Sequence, residues 1–444
     1  MAEPIAERLH SALVHGDPDA AQELAPEARE HVATNGVRLV TAQALQSSGD
    51  QVVNASTVLP WLFSVLGVPA ALTGLLVPIR ESGSMLPQAF LTPLVVRVRR
   101  RKWVFVAGAL GQAAAVAVMA LTAALARGVT AGVLVIAALT VFSLGRCLCS
   151  IAVKDVQGRT IPPGQRGQVT GLATTAAGVV AITLGLGLRF LGGDDLTATV
   201  LAWLLAGGAA LWVGVALVSA GIREPLDEPS GSGPRSEPQE AGWFARTVDL
   251  LRTDRAFRSF VGVRSLLLVS SLSPPFVVTL SLQSDVDALA GLGGFVIASG
   301  LAALLGGRLF GRMADRSSRR LMSLGAGVAS AVVLALVATT TLLDVERLGP
   351  VGDLTFVVAY FLLTLMHTGV RVGRKTYVVD MAEGDRRTTY VAVSNSAMGI
   401  VLLLVGGISS LLALGDVLWA LLFLAALGLV GVVAGARLPE VSRG

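Results

Sequence analysis

"GRMADRSSRR", residues 311–320, contains four arginines and one aspartate within ten residues. Long apolar stretches flank it, "GGFVIASGLAALLGG" at 293–307 and "LMSLGAGVASAVVLALVA" at 321–338. About 20 predominantly apolar residues are enough for a helix to cross the hydrocarbon core of a bilayer. The pattern therefore predicts a charged turn between two membrane-spanning helices.

The whole chain repeats this alternation of apolar and charged segments. It has 444 residues, of which 53% are hydrophobic and 15% charged, and its mean hydropathy is +0.70. Soluble domains carry about 25% charged residues. The composition predicts an all-α integral membrane protein. We attribute the net charge of +5 to membrane topology, so no nucleic-acid partner is expected.

The sequence carries no motif of an enzyme. Metal-ligand spacing, a phosphate-binding loop and a nucleophile elbow are all lacking, so no catalytic residue, metal or cofactor is expected. Cys147 and Cys149 lie two residues apart in an apolar segment, and we expect them to be inert packing residues. Residues 1–36 show no basic region followed by an apolar core, so a cleaved signal peptide is not predicted.

Twelve segments are long and apolar enough to span a membrane. They lie near 38–63, 69–96, 103–126, 130–153, 167–191, 196–221, 258–281, 288–310, 320–343, 353–376, 388–413 and 417–436. We therefore predict a cytoplasmic N-terminal segment at 1–36, a six-helix bundle at 37–221, a cytoplasmic linker at 222–257, a second six-helix bundle at 258–437 and a cytoplasmic tail at 438–444. The linker is rich in Pro, Gly and Ser and ends in "AGWFARTVDLLRT", an expected amphipathic surface helix.

The distribution of basic residues predicts the orientation. With the N-terminus in the cytoplasm, nearly all of the 35 Lys and Arg residues fall in cytoplasmic segments, and the external loops contain only Arg127 and Arg347. Loops rich in Lys and Arg stay in the cytoplasm. Both termini are therefore expected in the cytoplasm, in a plasma membrane or inner membrane.

The two halves resemble one another, which is a common plan in transporters. "LQSSGDQVVNAST" in span one aligns with "LVSSLSPPFVVTL" in span seven, and "KDVQGRTIPPGQRGQVTG" aligns with "RKTYVVDMAEGDRRTTYV" 220 residues later. With this repeat, "GRMADRSSRR" is similar to the signature G-x-x-x-D-R-x-x-R-R of the major facilitator superfamily. The matching residues are Gly311, Asp315, Arg316, Arg319 and Arg320.

The resemblance implies two pseudo-symmetric six-helix bundles that rock about a central site. It also implies that the signature segment is a conformational gate that clips the halves together when the outside is open. The equivalent segment of the first half, "PLVVRVRRRK", has Pro93 and Arg97 in place of the Gly and Asp of the signature.

In this family spans one, four, seven and ten line the central cavity. Polar side chains recur at helical spacing on several of the spans: Gln43, Ser47, Asp50 and Asn54 on span one; Glu81, Ser84 and Gln88 on span two; Ser143, Arg146, Ser150 and Lys154 on span four; Tyr360, Thr364, His367, Arg371 and Lys375 on span ten. Polar side chains within a membrane span must face protein or water. We expect these stripes to face the cavity.

Three charged residues lie at similar depth near the midplane, Asp50, Arg80 and Glu81. One hypothesis makes Asp50 or Glu81 the proton site, tuned by Arg80 or Arg146. The other makes these residues a structural ion-pair network between spans one, two and four. Because Arg80 and Glu81 differ by about 100° around a helix, we expect Glu81 to face the cavity and Arg80 to pair with Asp50.

Two further features leave alternatives open. His367 is either a donor in helix packing or a proton relay. Arg264, Arg371, Arg374 and Lys375 are either topological charges at the cytoplasmic mouth or attract an anionic or zwitterionic substrate. "SPP" at 273–275 is expected to break or kink span seven, as a candidate hinge.

The preferred function is a monomeric secondary transporter that exports a small organic solute in exchange for protons. The alternatives are uptake or exchange of an anionic or zwitterionic metabolite, and a receptor on the same scaffold that does not transport. The candidate residues for substrate and proton binding are Asp50, Asn54, Arg80, Glu81, Arg146, Arg264, His367 and Arg371.

Overall fold

The computed structural model describes residues 22, 24–162, 165, 178–187, 197–226, 249–250, 252–284, 291–343, 350–381 and 386–441. These ranges are mainly helical and contain no strand. Eight of their helices are long and apolar enough to cross a membrane, and the apolar helices Gly178–Gly187 and Leu292–Gly306 are shorter. The prediction of an all-α membrane protein is confirmed.

The described helices correspond to six spans in each half of the chain. In the first half, the described helices are Pro26–Arg29, Val32–Val52, Val58–Val65, Ala70–Thr73, Leu76–Met85, Gln88–Val96, Lys102–Leu125, Gly128–Thr160, Gly178–Gly187 and Ala198–Ala220. In the second half they are Arg255–Leu266, Val269–Gln283, Leu292–Leu342, Pro350–Met381, Arg386–Leu412 and Val417–Gly435. Spans one, two and seven are each divided into shorter helices, whereas spans eight and nine share Leu292–Leu342.

Several helices extend beyond the predicted apolar limits. Span one begins at Val32, and span seven begins at Arg255, inside the predicted linker. Asp254 sets the start of span seven. Its side-chain oxygen accepts the backbone N–H of Phe257 at 2.9 Å and so caps the helix. The predicted amphipathic helix at 241–253 falls mostly outside the described residues.

The charged segment 311–320 is not the open turn that was predicted. It is helical on both sides of Ser317, where the backbone becomes extended with φ −163° and ψ 98°. Outside the hydrocarbon region, water solvates the charged side chains, and Ala, Met and Arg are good helix formers. Spans eight and nine therefore continue as helices up to a break of a single residue.

Span one is broken at residues 53–57, immediately after the turn that carries Asp50. The side-chain oxygen of Asn54 accepts the backbone N–H of Ser56 at 2.8 Å. Such a local side-chain bond competes with helix formation. The break leaves Asp50 near the end of a half-helix in the middle of the protein, an arrangement that transporters use at their binding sites.

Span seven is broken, as predicted, but at a different place. The break lies at Leu267 and Leu268, whereas Pro274 and Pro275 lie inside the helix Val269–Gln283. A proline clashes with the carbonyl group four residues earlier and removes its hydrogen bond. The disturbance therefore falls before the prolines.

Close helix contacts within the first half depend on glycines. A Cβ atom on Gly108 of span three would lie 2.7 Å from the carbonyl oxygen of Gly145 on span four. A Cβ atom on Gly49 of span one would lie 2.7 Å from the indole nitrogen of Trp212 on span six. Trp212 is fully buried. Small residues let membrane helices approach closely, so these positions hold the bundle together.

The two halves touch each other from mid-membrane to the end remote from the termini. Near the far ends of their spans, the rings of Trp61 and Phe295 lie 6.4 Å apart between centroids. A Cβ atom on Gly185 of span five would lie 2.6 Å from Ile297 of span eight. At mid-depth the hydroxyl group of Ser82 donates to the carbonyl oxygen of Gly399 at 2.7 Å. Spans one and five thus contact span eight near that end, and span two contacts span eleven at mid-depth.

Candidate functional site: the central cavity

A cavity of about 330 Å³ lies between the two halves at the depth of the helix breaks. This volume lies within the range of small-molecule sites. Its polar lining comes from both halves: Ser47, Asp50, Gln51, Asn54, Ser56, Arg80, Glu81 and Arg146 from the first, and Ser270, Ser271, Ser299, Tyr360, Thr364, His367, Arg371 and Arg374 from the second.

Asp50 is the centre of an ion-pair cluster in the first half. Its Oδ1 atom accepts a hydrogen bond from Nη2 of Arg80 at 3.0 Å and another from Nη1 of Arg146. The predicted pairing of Arg80 with Asp50 is therefore confirmed as a contact. Arg146 is a second partner, so one carboxylate neutralises two guanidinium groups only in part.

The side chains of Arg80 and Glu81 both face the cavity, which the sequence analysis predicted for Glu81 alone. They lie on the ten-residue helix Leu76–Met85, which the bond from Ser82 holds against span eleven. Both side chains therefore reach the same space.

Span ten forms the opposite wall. His367, Arg371 and Arg374 recur at intervals of four and three residues, so they lie on one face of the helix. Among the described residues, no carboxylate lies within 4.0 Å of either guanidinium group, whereas Glu81 is close enough to attract Arg374 electrostatically. The Nδ1 atom of His367 is buried without a hydrogen-bond partner in the described part of the chain.

Arg264 lies apart from the cavity. Its guanidinium group donates to the hydroxyl group of Ser394 and, at 3.1 Å, to the side-chain oxygen of Asn395 on span eleven. It therefore ties span seven to span eleven. Seven polar residues of the predicted stripes are also outside the lining: Gln43, Ser84, Gln88, Ser143, Ser150, Lys154 and Lys375.

Several lining residues were not identified as site candidates from the sequence. Ser270 and Ser271 line the cavity, and they align with Ser47 and Ser48 in the two repeated segments. The repeat was therefore the available signal. Ser299 had no such signal, because it lies outside any polar stripe, whereas Gln51 follows Ser47 by one helical turn.

The signature segment contacts the end of span twelve in its own half. Arg319 donates to the carbonyl oxygen of Leu438 at 2.8 Å, and its Nε atom lies 3.6 Å from Glu440. Ser317 also donates to Glu440. Arg316 and Arg320 are exposed, and for Gly311 and Asp315 only the helical backbone is described. Among the described residues, the polar contacts of Arg319 stay within its own half.

The first half has an equivalent anchor despite its lack of the signature Gly and Asp. Glu224, which follows span six, accepts the backbone N–H groups of Arg101 at 3.1 Å and Lys102 at 2.9 Å. Burial raises the pKa of Glu224, and these two N–H bonds oppose the rise. Arg101 also pairs with Asp155 of span four at 2.8 Å. Both halves thus fix the segment after their second span to the end of their sixth.

Comparisons with known proteins agree with this architecture. The family model described as Major Facilitator Superfamily matches residues 39–345. The solved structure of the nucleoside transporter NupG has a TM-score of 0.70 with 12% identity, covering 91% of this chain and 99% of that one. The xylose transporter XylE from E. coli, in an inward open conformation, has a TM-score of 0.65 with 11% identity, covering 93% and 97%.

A peptide transporter named POT is similar to the same extent, with a TM-score of 0.65, 12% identity and coverage of 91% and 93%. At such identities the structures establish the fold alone. No curated protein sequence shows significant similarity to this chain. The twelve spans in two halves, the signature segment and the match over 39–345 together establish that this chain belongs to the Major Facilitator Superfamily of membrane transporters.

Proposed function

We propose that this protein moves a small organic solute across the membrane by alternating access, coupled to protons, with export as the preferred direction. It acts as a monomer in a plasma membrane or inner membrane, with both termini in the cytoplasm. Transport by rocking two halves about a central site needs no cofactor.

The observation that carries the proposal is the position of Asp50. This carboxylate lies at a break in span one, lines the space between the halves and is shared by Arg80 and Arg146. A charge within a membrane is costly and usually functional. Protonation of Asp50 would release two arginines at once, so one proton would change the charge and the contacts of the cavity together.

The contacts between the halves support the alternating part of the proposal. They extend from mid-membrane to the end remote from the termini, and the cavity lies at their inner edge. With cytoplasmic termini, this arrangement is an inward-facing state. The signature residues Gly311, Asp315, Arg316, Arg319 and Arg320 are then proposed to form the gate that holds the opposite, outward-facing state.

The test is reconstitution of the purified protein in liposomes that contain a pH-sensitive dye, with a broad panel of solutes. The wild type should acidify or alkalinise the lumen when a substrate is added, and Asp50→Asn should abolish this signal. Asp416→Asn is the matched control, because Asp416 is an exposed acid that caps span twelve at 2.9 Å from the N–H of Leu418, and Asn also caps helices. Substrate flux in Asp50→Asn that still follows the pH gradient would contradict the proposal.

One observation favours the alternative of uptake or exchange of an anionic or zwitterionic metabolite. Four arginines and two carboxylates line the described cavity, which leaves an excess of two positive charges. The same liposomes distinguish the directions, because export and uptake of a labelled solute respond oppositely to an imposed pH gradient.

A further inference from the structure

We propose that the cavity recognises its substrate through a compact anionic group, a carboxylate or a phosphate, held by Arg371 and Arg374. Glu81, on the opposite wall, is a carboxylate whose charge opposes the binding of this group. The inference rests on the proposed transport function, since it names the substrate class of the same cavity.

The two walls of the cavity differ in how their charges are compensated. Asp50 bonds directly to both Arg80 and Arg146, so the positive charges of the first half are held by an internal partner. Arg371 and Arg374 have no carboxylate within 4.0 Å among the described residues. Charges inside a membrane protein are usually paired. Both side chains line the cavity, Arg371 exposed and Arg374 half-buried, so both guanidinium groups are open to an anion that enters from outside.

The spacing of these arginines suits one small anionic group. Residues three apart on a helix have Cβ atoms about 5–6 Å from each other, so two guanidinium groups at 371 and 374 can converge on a single carboxylate or phosphate. Guanidinium groups bind such oxygens in a bidentate fork. A cation would meet repulsion from both groups.

Buried polar atoms near this wall also lack partners. Nδ1 of His367 and the hydroxyl oxygen of Ser270 are buried and form no hydrogen bond within the described residues, and both residues line the cavity. Buried polar groups are normally satisfied. A ligand whose anionic group is bound on span ten would place its remaining polar atoms beside them.

Glu81 faces the same space from the first half. It lines the cavity, has no cation within 4.0 Å in the described chain, and attracts Arg374 across the gap. A carboxylate at that distance weakens the field of the arginines without occupying their hydrogen-bond positions. Loss of the Glu81 charge should therefore strengthen the binding of an external anion.

A purely topological role for the arginines predicts different behaviour. Positive charge near a cytoplasmic helix end orients a membrane protein, and Lys serves this purpose as well as Arg. Lys cannot form the bidentate fork. The substitution Arg371→Lys therefore separates the two roles, since it preserves the charge and removes the geometry.

The experiment measures binding by isothermal titration calorimetry to the full-length protein in lipid nanodiscs. The probes are inorganic phosphate, succinate and, as a cation of similar size, ethylenediamine. Phosphate or succinate should bind and ethylenediamine should not, and the better of the two anions identifies the group. Arg371→Lys and Arg374→Gln should weaken anion binding at least tenfold, Glu81→Gln should strengthen it severalfold, and Lys375→Gln, an adjacent cation outside the lining, should change it less than twofold.

Two results would overturn the inference: preferential binding of the cation, or anion binding that Arg371→Lys and Arg374→Gln leave unchanged. Size-exclusion profiles identify any variant that fails to fold, and Arg371→Lys is the conservative substitution kept for that case. The liposome assay separates this inference from the proposed function. Anion binding without flux would refute transport and keep the anion site, whereas proton-linked flux of a cation alone would refute the anion site and keep transport.

Discussion

Removal of Asp50 should destabilise the protein more than removal of either arginine. Asp50 is bonded to both Arg80 and Arg146. Asp50→Asn therefore leaves two positive charges without their carboxylate, whereas Arg80→Ala leaves Asp50 still bonded to Arg146. The structure thus predicts an order of effects that an isolated pair of charges would not give.

The expected losses of unfolding free energy follow from the burial of the three side chains. The side chains of Arg80, Asp50 and Arg146 are 12%, 17% and 29% exposed, so the cluster is mostly shielded from solvent. Removing one partner of a buried pair costs about 3–5 kcal/mol, which we assign to Asp50→Asn. A hydrogen bond to a charged group is worth about 1.5–3 kcal/mol, which we assign to Arg80→Ala. In the double variant one stranded arginine is absent, so the combined loss should be about 1–2 kcal/mol smaller than the sum.

The assay is reversible unfolding by titration with a denaturing detergent, followed by tryptophan fluorescence, for the wild type, both single variants and the double variant. Arg97→Ala combined with Asp50→Asn is the control cycle, because Arg97 is exposed at the end of Gln88–Val96 and should give additive losses. Additivity within about 0.5 kcal/mol for the Arg80 cycle, or a larger loss for Arg80→Ala than for Asp50→Asn, would refute the reasoning.

Three further predictions concern the gates and anchors. Gly185→Ala should open the end remote from the termini, because its Cβ atom would lie 2.6 Å from Ile297. Gly187→Ala is the control, because its Cβ atom would have no atom within 4 Å and the accessibility of the cavity should not change. Both are measured by the reaction of a cysteine introduced in the cavity with a membrane-impermeant thiol reagent added from each side. Glu224→Ala should lower the free energy of unfolding in detergent by about 1–3 kcal/mol, because two backbone N–H groups lose a charged acceptor. Glu224→Gln keeps an acceptor and should lose less. An equal loss for both variants would show that these two hydrogen bonds are not the reason for the destabilisation. Asp315→Ala should raise labelling of the cavity from the cytoplasm, and unchanged labelling would leave the signature segment as a topological signal.

Hydropathy was sufficient to predict the approximate positions of the spans that the described helices show, because a helix needs about 20 apolar residues to cross a bilayer. It was not sufficient to predict where the helices break. Asn54, whose side chain accepts the N–H of Ser56 at the break in span one, gives no hydropathy signal for that break. Prolines in span seven indicated a break, but the helix that contains them is continuous and the break lies at Leu267 and Leu268.

Depth along a helix was also a sufficient guide to the pairing of Arg80 with Asp50, since both positions can be counted from the ends of their spans. Rotation about the helix axis could not be obtained in this way. Arg146 is a second partner of Asp50 and Arg264 faces span eleven, and both facts depend on how whole helices are turned against one another. Lone polar residues such as Ser299 give no periodic signal from which that rotation could be inferred.

The anchors at Glu224 and Glu440 have a mechanical consequence. Each ties the segment after the second span of its half to the end of the sixth span of that half, so each bundle is cross-braced at the same end and resists shear between its own helices. A stiff body that pivots at mid-membrane, about 15 Å from either surface, converts a tilt of about 10° into a displacement of about 3 Å at its ends. That displacement is as large as the donor–acceptor and van der Waals distances across the contacts that join the two bundles. In the proposed alternating-access cycle, a small change in the position of charge at the pivot would therefore be enough to make or break the contacts between the halves at the surface.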